Sequence, residues 1–221
     1  MPNFYNMKKL CIFDLDGTLT NTLGSIAHFL NTELRKYNIP DVTEDEVKVF
    51  TGDGAYNLVE RVLKKNGIED AGLLKNILIS YVSSYDADYL YLCKLYPGIK
   101  ECIAELKKRG IKVACLTNKP HQTAVSIISH FFNDDFSLIW GQREGFPIKP
   151  DPSGAFEIMK ELKVEAKDAL YIGDTKTDVL TGKRAGCFTI GVLWGFRSRE
   201  ELEDAGADAI IGNPNELLGF L

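Results

Sequence analysis

Six short apolar runs, at residues 8–14, 112–117, 136–140, 169–172, 188–192 and 209–211, limit this chain more than any other feature. Each is too short for a helix and too uniformly apolar for a strand with one wet face, so each reads as a strand buried on both sides. Between most of them lie amphipathic stretches that predict helices. Those over 98–109 and 175–185 end at Gly110 and Gly186, and two more cover 153–162 and 198–205. Strands alternating with helices imply an α/β chain: a Rossmann-like parallel sheet with helices on both faces.

One interval breaks the alternation. Residues 20–92 hold no convincing strand and several helical signals. Asn21 or Thr22 can cap a first helix, Thr43 and Glu46 have the spacing of a capping box, and Leu58, Val59, Val62 and Leu63 lie on one helical face before Gly67. The expected organisation is therefore a core over 1–19 and 93–221, with a helical domain over 20–92 inserted after the first strand.

Composition excludes some functions. With 26 Lys and Arg against 31 Asp and Glu, the 221-residue chain carries a net charge of −5 and has no long basic run, which argues against nucleic acid as a partner. No apolar run approaches the ~18 residues needed to cross a bilayer. Residues 1–6 lack the basic start and apolar stretch of a secretion signal. The five cysteines match no paired spacing and mostly sit in apolar segments. They read as buried thiols in a reducing, cytoplasmic setting rather than as a disulfide or a thiolate metal site.

In open parallel sheets, ligands bind outside the carboxyl ends of the strands. Asp14 and Asp16 follow the first run, Thr117, Asn118 and Lys119 end the second, Lys149 lies in a loop, and Asp174 and Asp178 follow the fourth. Clustered carboxylates repel one another unless one protonates or a cation lies between them, and an oxygen-rich set suits Mg²⁺. Lysine, a hydroxyl and exposed amides beside such an ion suit a phosphoryl group. An aspartate there can also act as nucleophile. Asp14 and Asp16, two apart on an extended chain, face the same side, so one can attack phosphorus while the other handles the leaving-group proton. Asp-x-Asp-Gly is also a plain turn sequence. The ordered recurrence of polar groups after later strands favours a site.

These residues resemble the four signatures of the haloacid dehalogenase-like hydrolases. Asp14-Leu15-Asp16-Gly17-Thr18-Leu19-Thr20 is similar to the first, Leu116-Thr117-Asn118-Lys119 to the second, Lys149-Pro150-Asp151-Pro152 to the third, and the segment from Gly173-Asp174 to Asp178 to the fourth. The resemblance runs over nearly the whole chain. It implies a Rossmann-like core with a helical cap after the first strand. It makes Asp14 the nucleophile and a Mg²⁺ ligand. Asp16 becomes the general acid and base, with its carbonyl as a ligand, and Asp174 a direct ligand. Thr117 and the Asn118 amide would hold phosphate oxygens. Lys149 would pair with nucleophile and phosphate, and Asp178 would orient metal-bound water or Lys149 from behind.

Within that family, residues 51–61, Tyr96-Pro97-Gly98 and residues 191–195 are similar to phosphoglycolate phosphatases. The implied activity is Mg²⁺-dependent hydrolysis of a small phosphorylated metabolite, with 2-phosphoglycolate as the first candidate, by a monomer or homodimer. Related caps serve phosphomutases, pyrophosphatases and nucleotidases, and a non-enzymatic phospho-receiver is a further alternative. Asp53 and Tyr56 admit two readings: substrate contacts from a closing loop, or a helix start that needs glycine and a capping aspartate. Arg61 reads as solvent-facing or paired with an acid. His28 and His130 read as packing residues. Trp194, Phe196 and Arg197 read as lining for the crevice mouth or, preferentially, as cover for the sheet edge.

Overall fold

The computed structural model describes residues 8–221, so the reading of residues 1–6 lies outside the described residues. In chain order the elements are β1 (Leu10–Phe13), β2 (Thr20–Asn21), α1 (Leu23–Arg35), α2 (Glu44–Phe50), α3 (Ala55–Lys65), α4 (Ala71–Ala87), β3 (Lys94–Leu95) and α5 (Ile99–Lys108). They continue with β4 (Lys112–Pro120), α6 (His121–Phe132), β5 (Leu138–Gln142), α7 (Ser153–Leu162), β6 (Ala169–Gly173), α8 (Lys176–Arg184), β7 (Phe188–Val192), α9 (Arg199–Asp204) and β8 (Ala209–Ile211). No helix among the described residues is long and apolar enough to cross a membrane. All five cysteines are free and buried.

Six strands form one parallel sheet in the order β5-β4-β1-β6-β7-β8. The chain builds outward from β1 on one side and then returns to build outward on the other, so strand order reverses at β1. A crevice opens at the carboxyl ends of the strands where order reverses. Every residue of β1 is buried, as its unbroken apolar run requires. Under one face, Leu10, Ile12, Ala114, Leu116 and Tyr171 pack with Ala155, Ile158 and Met159 of α7.

The chain divides into two compact units. One contains the described chain up to Thr20 together with Leu95–Leu221, and the other is Asn21–Lys94. The second has its own core, in which Leu30, Leu34, Val47, Val59, Val62 and Ile77 are buried together. Its α2 begins with a capping box: the Glu46 N–H donates to Thr43 Oγ1 at 3.2 Å, and the Thr43 N–H to Glu46 Oε2 at 3.0 Å. Thr22 is the N-cap residue of α1 but accepts no side-chain capping bond. Asn21 Oδ1 instead accepts from the Leu23 N–H at 3.2 Å.

Several expectations shift. The strand expected at 136–140 runs Leu138–Gln142, because Phe136 stacks on Phe132 of α6 with ring centroids 5.1 Å apart and Leu138 is the residue in register with Ala114. Two-residue strands β2 and β3 pair where no strand was expected, being too short to leave a periodic signal. His28 and His130 are exposed rather than packed. The His28 ring lies against Tyr91.

Ile12 is fully buried at the centre of the sheet. Ile12→Ala is expected to cost about 2–5 kcal/mol, seen as a lower urea midpoint. An unchanged midpoint would contradict a close-packed sheet core at that position.

Candidate active site

β1 lies between β4 and β6 with Phe13 level with both Cys115 and Ile172. That register sets what the three strand ends present. The Asp14 N–H donates to the Ile172 carbonyl at 2.9 Å, holding the first residue after β1 beside the end of β6. Asp174 follows Gly173, the last residue of β6, and Thr117 and Asn118 lie within β4. Lys149 comes from the loop before α7. Asn118 brings it in by gripping its main chain at both ends: Lys149 N–H donates to Asn118 Oδ1 at 2.8 Å, and Asn118 Nδ2 donates to the Lys149 carbonyl at 3.1 Å.

The Lys149 side chain is 3% exposed, with its ammonium 2.7 Å from Asp14 Oδ1 and 2.6 Å from Asp178 Oδ1. Burial acts to lower the proton affinity of Lys149, but the two carboxylates outweigh it and hold the pKa well above the ordinary lysine range. Asp178 is fixed in turn. Its Oδ2 accepts from Thr175 Oγ1 at 2.6 Å and from the Thr175 N–H at 3.1 Å, which is also the capping box that starts α8. For Asp14, burial and then the charge of Asp178 push the pKa up to about 7, against the opposing pull of Lys149. Asp174 is fully buried and is likewise raised well above the carboxylate range, first by burial and then by Asp178 and Asp14.

Asp14, Asp174 and Asp178 each present an oxygen within 4.8 Å of the others. Three buried carboxylates, of which Asp14 and Asp174 have raised proton affinity, are short of positive charge, and their hard oxygen donors fit a divalent cation such as Mg²⁺. The expected ligand set of Asp14, Asp174 and Asp16 takes the main-chain carbonyl of Asp16, which is not part of this side-chain cluster. The Asp16 carboxylate lies against Lys119, whose ammonium is 3.1 Å from each of its oxygens. Both oxygens of Asp178 accept hydrogen bonds, from Lys149 and Thr175.

A turn after β7 reaches back to Asp174. The Phe196 N–H donates to Asp174 Oδ2 at 2.8 Å, Thr18 Oγ1 donates to Oδ1 at 3.0 Å, and Trp194 Nε1 donates to the Thr18 carbonyl at 2.9 Å. Neither reading of Trp194 and Phe196 from the sequence, as crevice lining or as sheet-edge cover, includes this main-chain donor. No periodicity marks a main-chain donor, though Gly195 between two aromatics was a usable signal, since a glycine in such a place often marks close backbone approach. Gly17, at φ +89°, occupies the left-handed region and packs against the Asp174 carboxylate.

Asp53 and Tyr56 belong to the helical unit. Asp53 does not cap α3: the N-cap residue is Gly54, with no side-chain capping bond. Asp53 is instead ion-paired with Arg61, which also donates from Nη1 to the Phe50 carbonyl at 2.8 Å. Tyr56 is 53% exposed.

The model of the family described as haloacid dehalogenase-like hydrolase matches residues 11–192. A phosphoglycolate phosphatase of Haemophilus influenzae is 30% identical over 219 residues, spanning 96% of this chain and 98% of that one. One from Vibrio parahaemolyticus is 31% identical over 216 residues, spanning 95% and 94%. A solved structure, a candidate phosphoglycolate phosphatase from Lactobacillus delbrueckii subsp. bulgaricus, superposes with a TM-score of 0.90 at 27% identity, covering 96% of this chain and 97% of that one.

A Cβ on Gly195 would collide with Asp174 Cβ and the Gly17 carbonyl, which are backbone or first-carbon atoms with little room to yield. Gly195→Ala is expected to destabilise the fold by about 1–3 kcal/mol in urea unfolding. A wild-type midpoint would show that the turn is not pressed against Asp174.

Proposed function

The chain belongs to the haloacid dehalogenase-like hydrolases and is a phosphoric monoester hydrolase, and on that premise we propose that it hydrolyses a small phosphomonoester, 2-phosphoglycolate in the first instance, by way of a phosphorylated Asp14. The observation that carries this reading is Asp14 itself. It is a carboxylate 6% exposed at the sheet's switch point, oriented by an ammonium group at 2.7 Å.

In the first half-reaction an Asp14 oxygen forms a bond to phosphorus as the bond to the leaving oxygen breaks, and the Asp16 carboxyl supplies the proton that oxygen needs. In the second, Asp16 as carboxylate takes a proton from water. The water oxygen bonds to phosphorus, and Asp14 leaves as a free carboxylate. Lys149 holds one oxygen of Asp14 and so restricts its rotation. Thr117 Oγ1 accepts from the Lys119 N–H at 3.1 Å, which leaves its hydroxyl hydrogen to donate to a phosphate oxygen beside the Asn118 amide. Asp14, Asp174 and the Asp16 carbonyl would hold Mg²⁺, which supplies positive charge against the phosphoryl oxygens when bound. Asp178 keeps Lys149 in place.

The same reading gives the helical unit Asn21–Lys94 the role of a cap, with Asp53 and Tyr56 as its specificity residues, and places the enzyme in the cytoplasm. Its five buried free thiols suit that compartment.

Asp14→Asn is expected to reduce phosphate release from 2-phosphoglycolate by at least about 10³-fold while leaving the circular-dichroism spectrum unchanged. Retention of more than a few per cent of activity would rule out the covalent route. Metal dependence has its own test. The Asp14 pKa rises from 3.8 to about 7 on folding, so its contribution to metal-free stability is full below the lower value and is lost as pH climbs through the higher. Asp174 acts in the same direction. The Tm of metal-free protein should fall between pH 5 and 8, as an order-of-magnitude window from these shifts, and added Mg²⁺ should raise Tm more at roughly pH 8 than at pH 5. Equal Mg²⁺ gains at the two pH values would remove the acidic cluster as the binding site.

A further inference from the structure

We propose that Lys119 is a positioning residue for Asp16, and that the rate of the first half-reaction depends on it in proportion to how much the leaving group needs a proton. The inference rests on the role of Asp16 given above.

Lys119 and Thr117 are two apart near the end of β4, in the stretch between Leu116 and Pro120 where its register with β5 shifts. The Lys119 main chain donates to Thr117 Oγ1, and its side chain reaches Asp16 across 103 residues of sequence. One residue therefore ties the hydroxyl proposed to hold phosphate to the carboxyl proposed to move the proton. The Lys119 side chain is 7% exposed and that of Asp16 22%. A lysine is seldom buried this far unless its ammonium has a partner to hold. The other ammonium of the site, on Lys149, is taken by Asp14 and Asp178.

The geometry points to positioning rather than to simple charge neutralisation. The Lys119 ammonium is 3.1 Å from Oδ1 and 3.1 Å from Oδ2. An ammonium has three N–H donors, so it can keep a hydrogen bond to one oxygen while the other gains or loses the proton. The Asp16 carboxyl group thus stays oriented through both half-reactions. A general acid or base works only when held within hydrogen-bond reach of its proton.

The test compares two esters. The leaving group of 2-phosphoglycolate is an alkoxide that needs a proton, whereas that of p-nitrophenyl phosphate is acidic enough to leave without one. For Lys119→Met the expected result in a single-turnover experiment is a slowing of leaving-group release by about 10–100-fold with 2-phosphoglycolate and by under about threefold with p-nitrophenyl phosphate, while loss of phosphate from phospho-Asp14, the step the two esters share, slows equally for both. In leaving-group release Asp16→Asn should show the same bias, and the double variant should be no slower in that step than Asp16→Asn alone. Lys119→Arg, which keeps donors for both oxygens, should restore much of the lost rate. Release of p-nitrophenol at close to the wild-type rate in that single turnover is itself the check on folding. If Lys119→Met does not fold, Lys119→Gln carries the same comparison. Equal losses in leaving-group release from the two esters, or a change confined to substrate binding, would overturn the proposal and leave the phosphatase reading standing. Wild-type protein that hydrolyses neither ester would overturn the phosphatase reading, and this proposal with it.

Discussion

One buried ammonium group makes the rest of the site affordable. Lys149 lies between Asp14 and Asp178, each within 2.7 Å, at the place where strand order in the sheet reverses. Buried carboxylates this close repel strongly, and removing one member of a buried ion pair typically costs about 3–5 kcal/mol because the other charge is left uncompensated. An ammonium offsets them only if it stays put, because lysine is flexible and strongly hydrated. Its surroundings supply that restraint. Asn118 binds its main chain at both ends, and Thr175 clamps the far side of Asp178.

Charge balance links this restraint to chemistry. Asp14, Asp16, Asp174 and Asp178 face two ammonium groups, those of Lys149 and Lys119, which leaves the cluster negative by two charges. Burial then raises the proton affinity of Asp14 and Asp174 in the absence of further positive charge. A divalent ion matches that deficit, and it also answers the difficulty of attracting a phosphate to a chain of net charge −5. The turn at Gly195 serves the same end from the other side of the sheet, holding Asp174 in place with main-chain and hydroxyl donors instead of a cation.

Much of the fold was legible because parallel strands buried on both faces leave unbroken apolar runs. The run at 188–192 matches β7 residue for residue, and 169–172 lacks only Gly173 of β6. Legibility failed where local pattern and long-range register disagreed. Phe136 is as apolar as any strand residue but stacks on α6, so β5 starts at Leu138. Asp53, placed where a capping residue belongs, pairs with Arg61 instead, because Gly54 takes the N-cap position. In the site, the residue types were readable and their partners were not: nothing local distinguishes Lys119 from an ordinary strand-end lysine.

The sequence by itself determined the order of strands and helices, the helical segment set into that order, and which donors and acceptors stand at the strand ends. These are local properties, written in apolar periodicity, glycines and short motifs. Only the tertiary structure decided which oxygen faces which ammonium: Lys149 to Asp14 and Asp178, Lys119 to Asp16, and the Phe196 main chain to Asp174. Those pairings depend on the register of β4, β1 and β6 and join residues from 22 to more than a hundred apart in sequence, and periodicity along a chain carries no record of distance across it.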